Sequence, residues 1–593
     1  MKKVIYPGSF DPFTKGHKDL LERTGEKFSH VIVGVGQNPD KKYMFSIPEK
    51  VEMIKGATKK GLNENLNVEV IPFSGLLVDF AFEKGVNTIV RGIRGAGDLE
   101  GESLLHWVGE SQKLGIDTVF LLAKQDQTHV SSSTTKAILK EQGLIQDYVT
   151  LNVKHFLETR MMGQYLVGLT GTIGAGKSYI TDSFVALGLE QNIPVYNIDL
   201  DKIGHRILET ATDEGYVRVR QELISAFGDK IKKEDGFIDR KALGEIVFNN
   251  NEKRKKLDEI LYTPIILKIR KEMVGKKGII LLNGALLAEA GITDLTNNNV
   301  VLIGVDKQVQ QTRLSGRGHN SKQIETRINS QFSTSKKREV LGQKIEKTGY
   351  GNAIEFENNG NNSTQIKKIF NQMLSSVDVF GELRIKSVLA KLGMEDKWLE
   401  IYGKIKPMYD NPDRLYHNWF HVVACLNELY EVKEYLFNEE FIPLVFAIIF
   451  HDAVYNSSAK KGENENNSAL LAEKILKDLN IEQDIIDRTK ELIKLTASHT
   501  IDSNEISEKY MMIDFDLSIL GQDWDKYYQY SKSIRGEYSI YSEKDYTAGR
   551  LSFLKGMLSR QIFQTPYFQE KYEKQAKLNI EKEITLLENS QKG

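Results

Sequence analysis

Cysteine is almost missing from this 593-residue sequence: Cys425 stands alone, so no intrachain disulfide can form, and a reducing cytoplasm is the expected location. Long apolar runs are missing too. The longest, FIPLVFAIIF at Phe441 to Phe450, falls far short of the roughly 18 residues that cross a bilayer and reads as a buried helix. Neither sign of charge prevails, with 80 Lys and Arg against 81 Asp and Glu, and no basic block marks a nucleic-acid or membrane partner. The opening MKKVIYPGSF lacks the long apolar segment and small-residue cleavage site of a secretion signal. Internal repeats and low-complexity linkers are also absent.

What is present is the composition of a soluble globular protein, 40% hydrophobic and 27% charged, long enough for three to four domains. From Lys3, short apolar runs (KVIYPG, HVIVGVG, NVEVIPF, TIVRGI, DTVFLLA) alternate with helical stretches, the order of a parallel βαβ sheet. A second such series starts at YLVGLTG and passes through VYNID, GIILLNGALL and NVVLIGV to the asparagine-rich ENNGNNS. Beyond about Ser376 strand-like runs give way to aromatic-rich helical periodicity. The expected fold is multidomain, α/β then all-α, divided as residues 1–160, 161–376 and 377–593.

TKGH at Thr14 to His17 sets a glycine at a strand-to-helix turn, where a phosphate can approach the backbone and the positive end of the helix. Taken alone it is equally a helix cap with a surface histidine. Four segments in order, PGSFDPFTKGH, NPDKKYMFSIPEKVEMI, FSGLLVDFAFEKGVNTIVRGIRGAGDLEGE and VSSSTTKAI, resemble the phosphopantetheine adenylyltransferases, of Rossmann-like nucleotidyltransferase fold. That resemblance implies that His17 binds the α-phosphate of ATP and that Ser9, with Phe10 and Thr14 beside it, holds the attacking phosphate. It implies further that Lys41 and Arg91 neutralise phosphates, that Ser131, Ser132 and Ser133 receive pyrophosphate, and that Arg94, Asp98 and Glu102 line the nucleotide site. A phosphate nucleophile needs positioning and charge neutralisation more than a base. Mg²⁺ would accompany the ATP. Gly101 and Gly109 depart from the family's usual tyrosine and asparagine.

GTIGAGKS at Gly171 to Ser178 fits GxxxxGK[ST] with a strand before it and a helix after. Gly171, Gly174, Ala175 and Gly176 form a loop whose N–H groups can surround phosphate, Lys177 reaches the β and γ phosphates, and Ser178 ligates Mg²⁺. With NIDLDKIGH, LDEILYTPII, ALLAEAG, TRLSGRG and ETRINSQFSTSKK, residues 165 to about 375 resemble dephospho-CoA kinase, a P-loop kinase. The resemblance implies that Asp199, with Asp201 nearby, orients or deprotonates a ribose 3'-hydroxyl, that Arg317 stabilises the transferring phosphoryl group, and that Arg313, Arg327 and Gln331 support a lid. On the acceptor side His205, Thr263 with Pro264, and Ala285 depart from the family pattern. The product of the first reaction, dephospho-CoA, would be the acceptor of the second.

In the helical region YHNWFH, HDAVYN, ENENNSA, TASH and DFDLSILG resemble a metal-dependent subfamily of HD-domain phosphohydrolases, whose ligands suit a divalent metal that activates water. The resemblance implies His421, His451, Asp452 and Asp514 as ligands, with His417 and His499 as supporting or second-metal residues. The expected whole is a homo-oligomeric enzyme of ATP, 4'-phosphopantetheine and dephospho-CoA or CoA. The alternatives are a regulatory scaffold with inactive domains, or the same chemistries on other acceptors.

Overall fold

The first series of apolar runs forms strands β1 (Lys3–Gly8), β2 (His30–Gly36), β3 (Asn67–Phe73), β4 (Thr88–Ile93) and β5 (Asp117–Leu122), all parallel, in the order β3-β2-β1-β4-β5. Helices join them, because parallel neighbours need a crossover. The second series forms β6 (Gln164–Gly171), β7 (Val195–Asp199), β8 (Gly278–Asn283), β9 (Asn299–Gly304) and β10 (Asn352–Glu357), parallel in the order β10-β9-β6-β8-β7. Central β6, β8 and β9 are buried at every residue, as a sheet covered on both faces requires. In each sheet the chain leaves the first strand toward one edge and later returns to its other side. Such a switch point opens a crevice at the carboxyl ends of the strands, and β1 and β6 end there in PGSFDPFTKGH and GTIGAGKS.

This computed structural model describes residues 3–36, 41–63, 66–247, 250–316, 321–329, 331–360, 363–499 and 508–590. The chain forms two compact units, Met1–Phe45 with Glu49–Val377, and Ser46–Pro48 with Asp378–Gly593. Both sheets lie in the first. The Leu151–Leu157 helix, buried at every residue, joins them and runs by way of Gly163, at φ 62°, into β6. Lys154 Nζ donates to Leu295 O and Asn297 Oδ1, each at 3.0 Å, and pairs with Glu158 at 2.7 Å. Asn152 Nδ2 donates to Met53 O at 2.8 Å on the other side. The helix thus has polar partners in both halves of the unit.

The described secondary-structure elements of the second unit are all helices. Its centre is the Asn438–Phe450 helix, which carries the longest apolar run and is buried from Pro443 to Phe450. No helix among the described residues is long and apolar enough to cross a membrane.

Candidate functional sites

The first site is built at the end of β1. Thr14 caps the Lys15–Gly25 helix, its Oγ1 accepting from His17 N at 3.3 Å, while Thr14 N donates to His17 Nδ1 at 2.9 Å. A ring nitrogen that accepts a backbone N–H carries no proton, so the imidazole proton sits on Nε2. The His17 ring packs against Phe10 and Phe13, with centroids 5.2 and 5.6 Å away. This desolvation, with Arg94 nearby, pushes its pKa down to about 4. His17 is therefore a neutral Nε2–H donor at physiological pH.

Arg91 on β4 pairs with Glu102 at 3.2 Å, and Arg94 with Asp98 at 2.7 Å. Ser131 caps the Ser132–Lys140 helix by accepting from Thr134 N at 3.0 Å, and Ser132 Oγ donates to Pro12 O at 2.8 Å. That bond ties a second helix N-terminus to the β1 loop. Ser9 and Lys41 are exposed. Sequence reasoning did not single out Asp11, which is buried, accepts from Phe45 N at 3.0 Å and pairs with Lys136 at 3.2 Å. Lys136 lies one helical turn past Ser132, a spacing that could have signalled it.

At the second site the glycines of the P-loop answer to close packing. A Cβ on Gly176, at φ 89°, would meet Asn358 Nδ2 at 2.3 Å, and one on Gly171 would meet Ile303 O at 2.4 Å. The outside of the loop is held by side chains. Gln310 Nε2 donates to Ile173 O at 2.7 Å, Asn358 Nδ2 to Ala175 O at 2.8 Å, and Arg313 to Gly174 O at 3.3 Å. Gln331 Oε1 accepts from Ile173 N at 3.0 Å. Arg313 and Gln331, expected to support a lid, thus brace the loop itself. Ser178 follows Lys177 at the start of the Lys177–Glu190 helix, and Lys177 Nζ donates to Gly171 O at 3.2 Å.

The two aspartates at the end of β7 and just after it differ. Asp199 caps the Leu200–Glu209 helix, accepting from Lys202 N at 3.0 Å. Asp201, in the first turn, faces Lys177 and accepts a backbone bond from Ala285. Burial pushes its carboxyl up while Lys177 pulls it down. The charge of Lys177 thus acts on Asp201, while Asp199 caps the helix through Oδ1. Lys337, fully buried, donates to Ala285 O at 2.6 Å and pairs with Glu289 at 2.5 Å, fixing the ALLAEAG turn. Arg317 lies outside the described residues.

The third site lies in the second unit. His421 comes from the Trp419–Val432 helix, His451 and Asp452 follow the Asn438–Phe450 helix, and Asp516 lies on the Glu508–Leu517 helix. His421 Nε2 is 3.0 Å from His451 Nε2, 3.0 Å from Asp516 Oδ1 and 3.6 Å from Asp452 Oδ2. His451 Nε2 is 3.2 Å from Asp452 Oδ2 and 3.7 Å from Asp516 Oδ1.

Asp514, expected as the fourth ligand, turns away. Its carboxylate accepts from Gln564 N at 2.6 Å, and from Thr565 N and Oγ1 at 2.8 and 2.7 Å. Two residues apart on a helix are about 200° apart around its axis, so Asp514 and Asp516 cannot share a face. His499 Nε2 lies 2.9 Å from Asp516 Oδ2, and His417 Nδ1 lies 2.6 Å from the buried Glu537. Both histidines thus hold carboxylates around the centre.

The group fits a metal. His451 Nδ1 donates to Ile448 O at 3.0 Å, which leaves the Nε2 lone pair facing the Nε2 of His421. Two imidazole nitrogens and two carboxylates converge with spacings close to the roughly 3.0–3.4 Å edge of a shell with bonds of about 2.1 Å. This donor set suits zinc, manganese, iron or cobalt.

Comparisons with known proteins bear on the first unit. Residues 5–138 match the family model described as Cytidylyltransferase-like, and residues 165–349 match the model Dephospho-CoA kinase. The phosphopantetheine adenylyltransferase of Clostridium botulinum is 42% identical over 149 residues, 25% of this chain and 88% of that protein. Its counterpart in Clostridium kluyveri is 41% identical over the same length. A solved dephospho-CoA kinase from Campylobacter jejuni aligns at 23% identity over 36% of this chain and 98% of that one, with a TM-score of 0.22, too low to bear on the fold. Through a 149-residue stretch the chain belongs to the phosphopantetheine adenylyltransferase family, and it carries a dephospho-CoA kinase domain behind it.

Proposed function

We propose that the chain makes coenzyme A from 4'-phosphopantetheine in two ATP-dependent steps. In the first, a phosphate oxygen of 4'-phosphopantetheine attacks the α-phosphorus of ATP, the α–β bond breaks, and dephospho-CoA and pyrophosphate form. The His17 Nε2–H donates to the α-phosphate as its charge grows, Arg91 and Lys41 offset charge, and the Ser131–Ser133 N-terminus takes the leaving pyrophosphate. Ser9, Phe10, Thr14, Arg94, Asp98 and Glu102 complete the nucleotide site.

In the second step the 3'-hydroxyl of dephospho-CoA attacks the γ-phosphorus of ATP and loses its proton to a carboxylate, for which Asp201 is the better placed. Lys177 and the P-loop N–H groups follow the charge from γ- to β-phosphate, with Ser178 on Mg²⁺ and Arg317 on the transferring group. One observation supports this reading: TKGH and GTIGAGKS each follow the first strand of a parallel sheet at its switch point, and both sheets lie in one compact unit. Equal yields of pyrophosphate and ADP from 4'-phosphopantetheine and ATP would test it; pyrophosphate without ADP would remove the kinase step.

For the second unit we read a metal-dependent phosphohydrolase of HD type, held by His421, His451, Asp452 and Asp516. When bound, the metal would supply an activated water. The exposed Leu104, Leu105, Trp107 and Val108 on the Ala96–Glu110 helix support a homo-oligomer, which sedimentation checks.

A further inference from the structure

Cys425 lies one helical turn beyond His421 on the Trp419–Val432 helix, so its side chain shares that residue's face. It is 1% exposed, and its Sγ stands 3.9 Å from His421 Nε2 and 3.6 Å from the Phe515 carbonyl. Ligand atoms of His421, Cys425, His451 and Asp516 all lie within 4.8 Å of one another. Asp452, bonded into the same pair of histidines, is not in that set of mutual neighbours. The triangle of His421, His451 and Asp516 therefore has two further donors near it, a carboxylate and a thiol.

We propose that Cys425 is a ligand of this metal site, giving it a sulfur donor and a preference for zinc, cobalt or iron(II) over magnesium, calcium and manganese. The inference rests on the reading of His421, His451, Asp452 and Asp516 as a metal centre. A thiolate reaches a metal at about 2.3 Å and an imidazole at about 2.1 Å, so an S–N separation of 3.9 Å fits two donors on one ion. Binding forms the metal–sulfur bond and releases the thiol proton to solvent. A sulfur ligand selects softer metals, whereas carboxylate, imidazole and water alone would admit the hard ones. The chemistry selected is then that of a Lewis-acidic, borderline-soft ion.

The single cysteine makes the test clean, because any sulfur-to-metal signal from a thiolate has one source. The full chain, without a tag, is loaded with one equivalent of cobalt(II), and its spectrum is recorded. Visible d–d bands report filling of the site, and a near-ultraviolet sulfur-to-cobalt charge-transfer band reports the thiolate. Both are expected in the natural chain. In Cys425→Ser the d–d bands persist, the charge-transfer band is lost, and the affinity for zinc relative to manganese falls about tenfold or more. d–d bands without a charge-transfer band in the natural chain would overturn the thiolate while leaving the metal centre standing. Absence of both would overturn the metal centre and, with it, the thiolate. The deciding spectrum is that of the unmutated protein, so a poorly folding variant cannot obscure it.

Discussion

The backbone N–H of Thr14 donates to Nδ1 of His17 at 2.9 Å, and this one bond decides what the histidine does. With Nδ1 occupied and the pKa pushed down to about 4, the side chain offers an Nε2–H and no basic nitrogen. Adenylyl transfer should therefore show no loss of activity assignable to His17 as pH falls from 8 to 5, since its titration lies lower, at about 4. His17→Ala should lower the rate of that step by about 10²–10³, the usual effect of removing one transition-state donor. A pH–rate profile on 4'-phosphopantetheine checks the first outcome; an inflection near 6.5 that vanishes in the variant would contradict it.

Asp199 and Asp201 should separate on substitution. Asp199→Asn keeps a good helix cap and should cost phosphoryl transfer little, whereas Asp201→Asn removes the carboxylate facing Lys177 and should lower it by about 10²–10⁴. Lys177→Ala should halt the chain at dephospho-CoA without slowing its formation. Single-turnover rates with supplied dephospho-CoA give the comparison, and equal losses at the two aspartates would refute the assignment.

The metal centre makes an equally divided prediction. Asp516→Asn should reduce bound metal by at least about tenfold, the loss seen even for outer-shell partners. Asp514→Ala should leave the metal in place yet destabilise the second unit by about 1–3 kcal/mol, since the N–H groups of Gln564 and Thr565 lose their acceptor. Elemental analysis beside thermal unfolding tells the two apart.

His155 ties pH to the stability of the first unit. Buried between Tyr350 OH at 2.8 Å and Val377 O at 2.9 Å, it has its pKa pushed down from 6.5 to about 4, chiefly by burial. The unfolded chain takes up this proton below pH 6.5 and the folded one resists until about 4, so stability is full above 6.5 and falls as pH drops through that window. The loss should reach about 3 kcal/mol near pH 4. Hydrogen exchange of the Leu151–Leu157 amides follows it, and His155→Gln should flatten the dependence.

Much of this was legible in the residues. Apolar runs separated by helical stretches show both parallel sheets, and a strand running into GTIGAGKS places the P-loop. Position within a motif was harder. DFD offers two aspartates, and only the phase of the Glu508–Leu517 helix shows that the second faces the histidines. NIDLD poses the same problem, since Asp199 caps the helix that follows and Asp201 lies in its first turn. Lys337 sits in the charged run KKR, which reads as surface, yet a tertiary contact with Glu289 buries it. Asp11 was hidden for the same reason, its partners being 34 and 125 residues away.

The central claim is that one chain catalyses two successive steps, and a mass-resolved time course tests it most directly. Purified protein with 4'-phosphopantetheine, ATP and Mg²⁺ should show dephospho-CoA rising first and then declining as CoA appears. Dephospho-CoA that accumulates with no CoA, or no consumption of 4'-phosphopantetheine at all, would contradict the account.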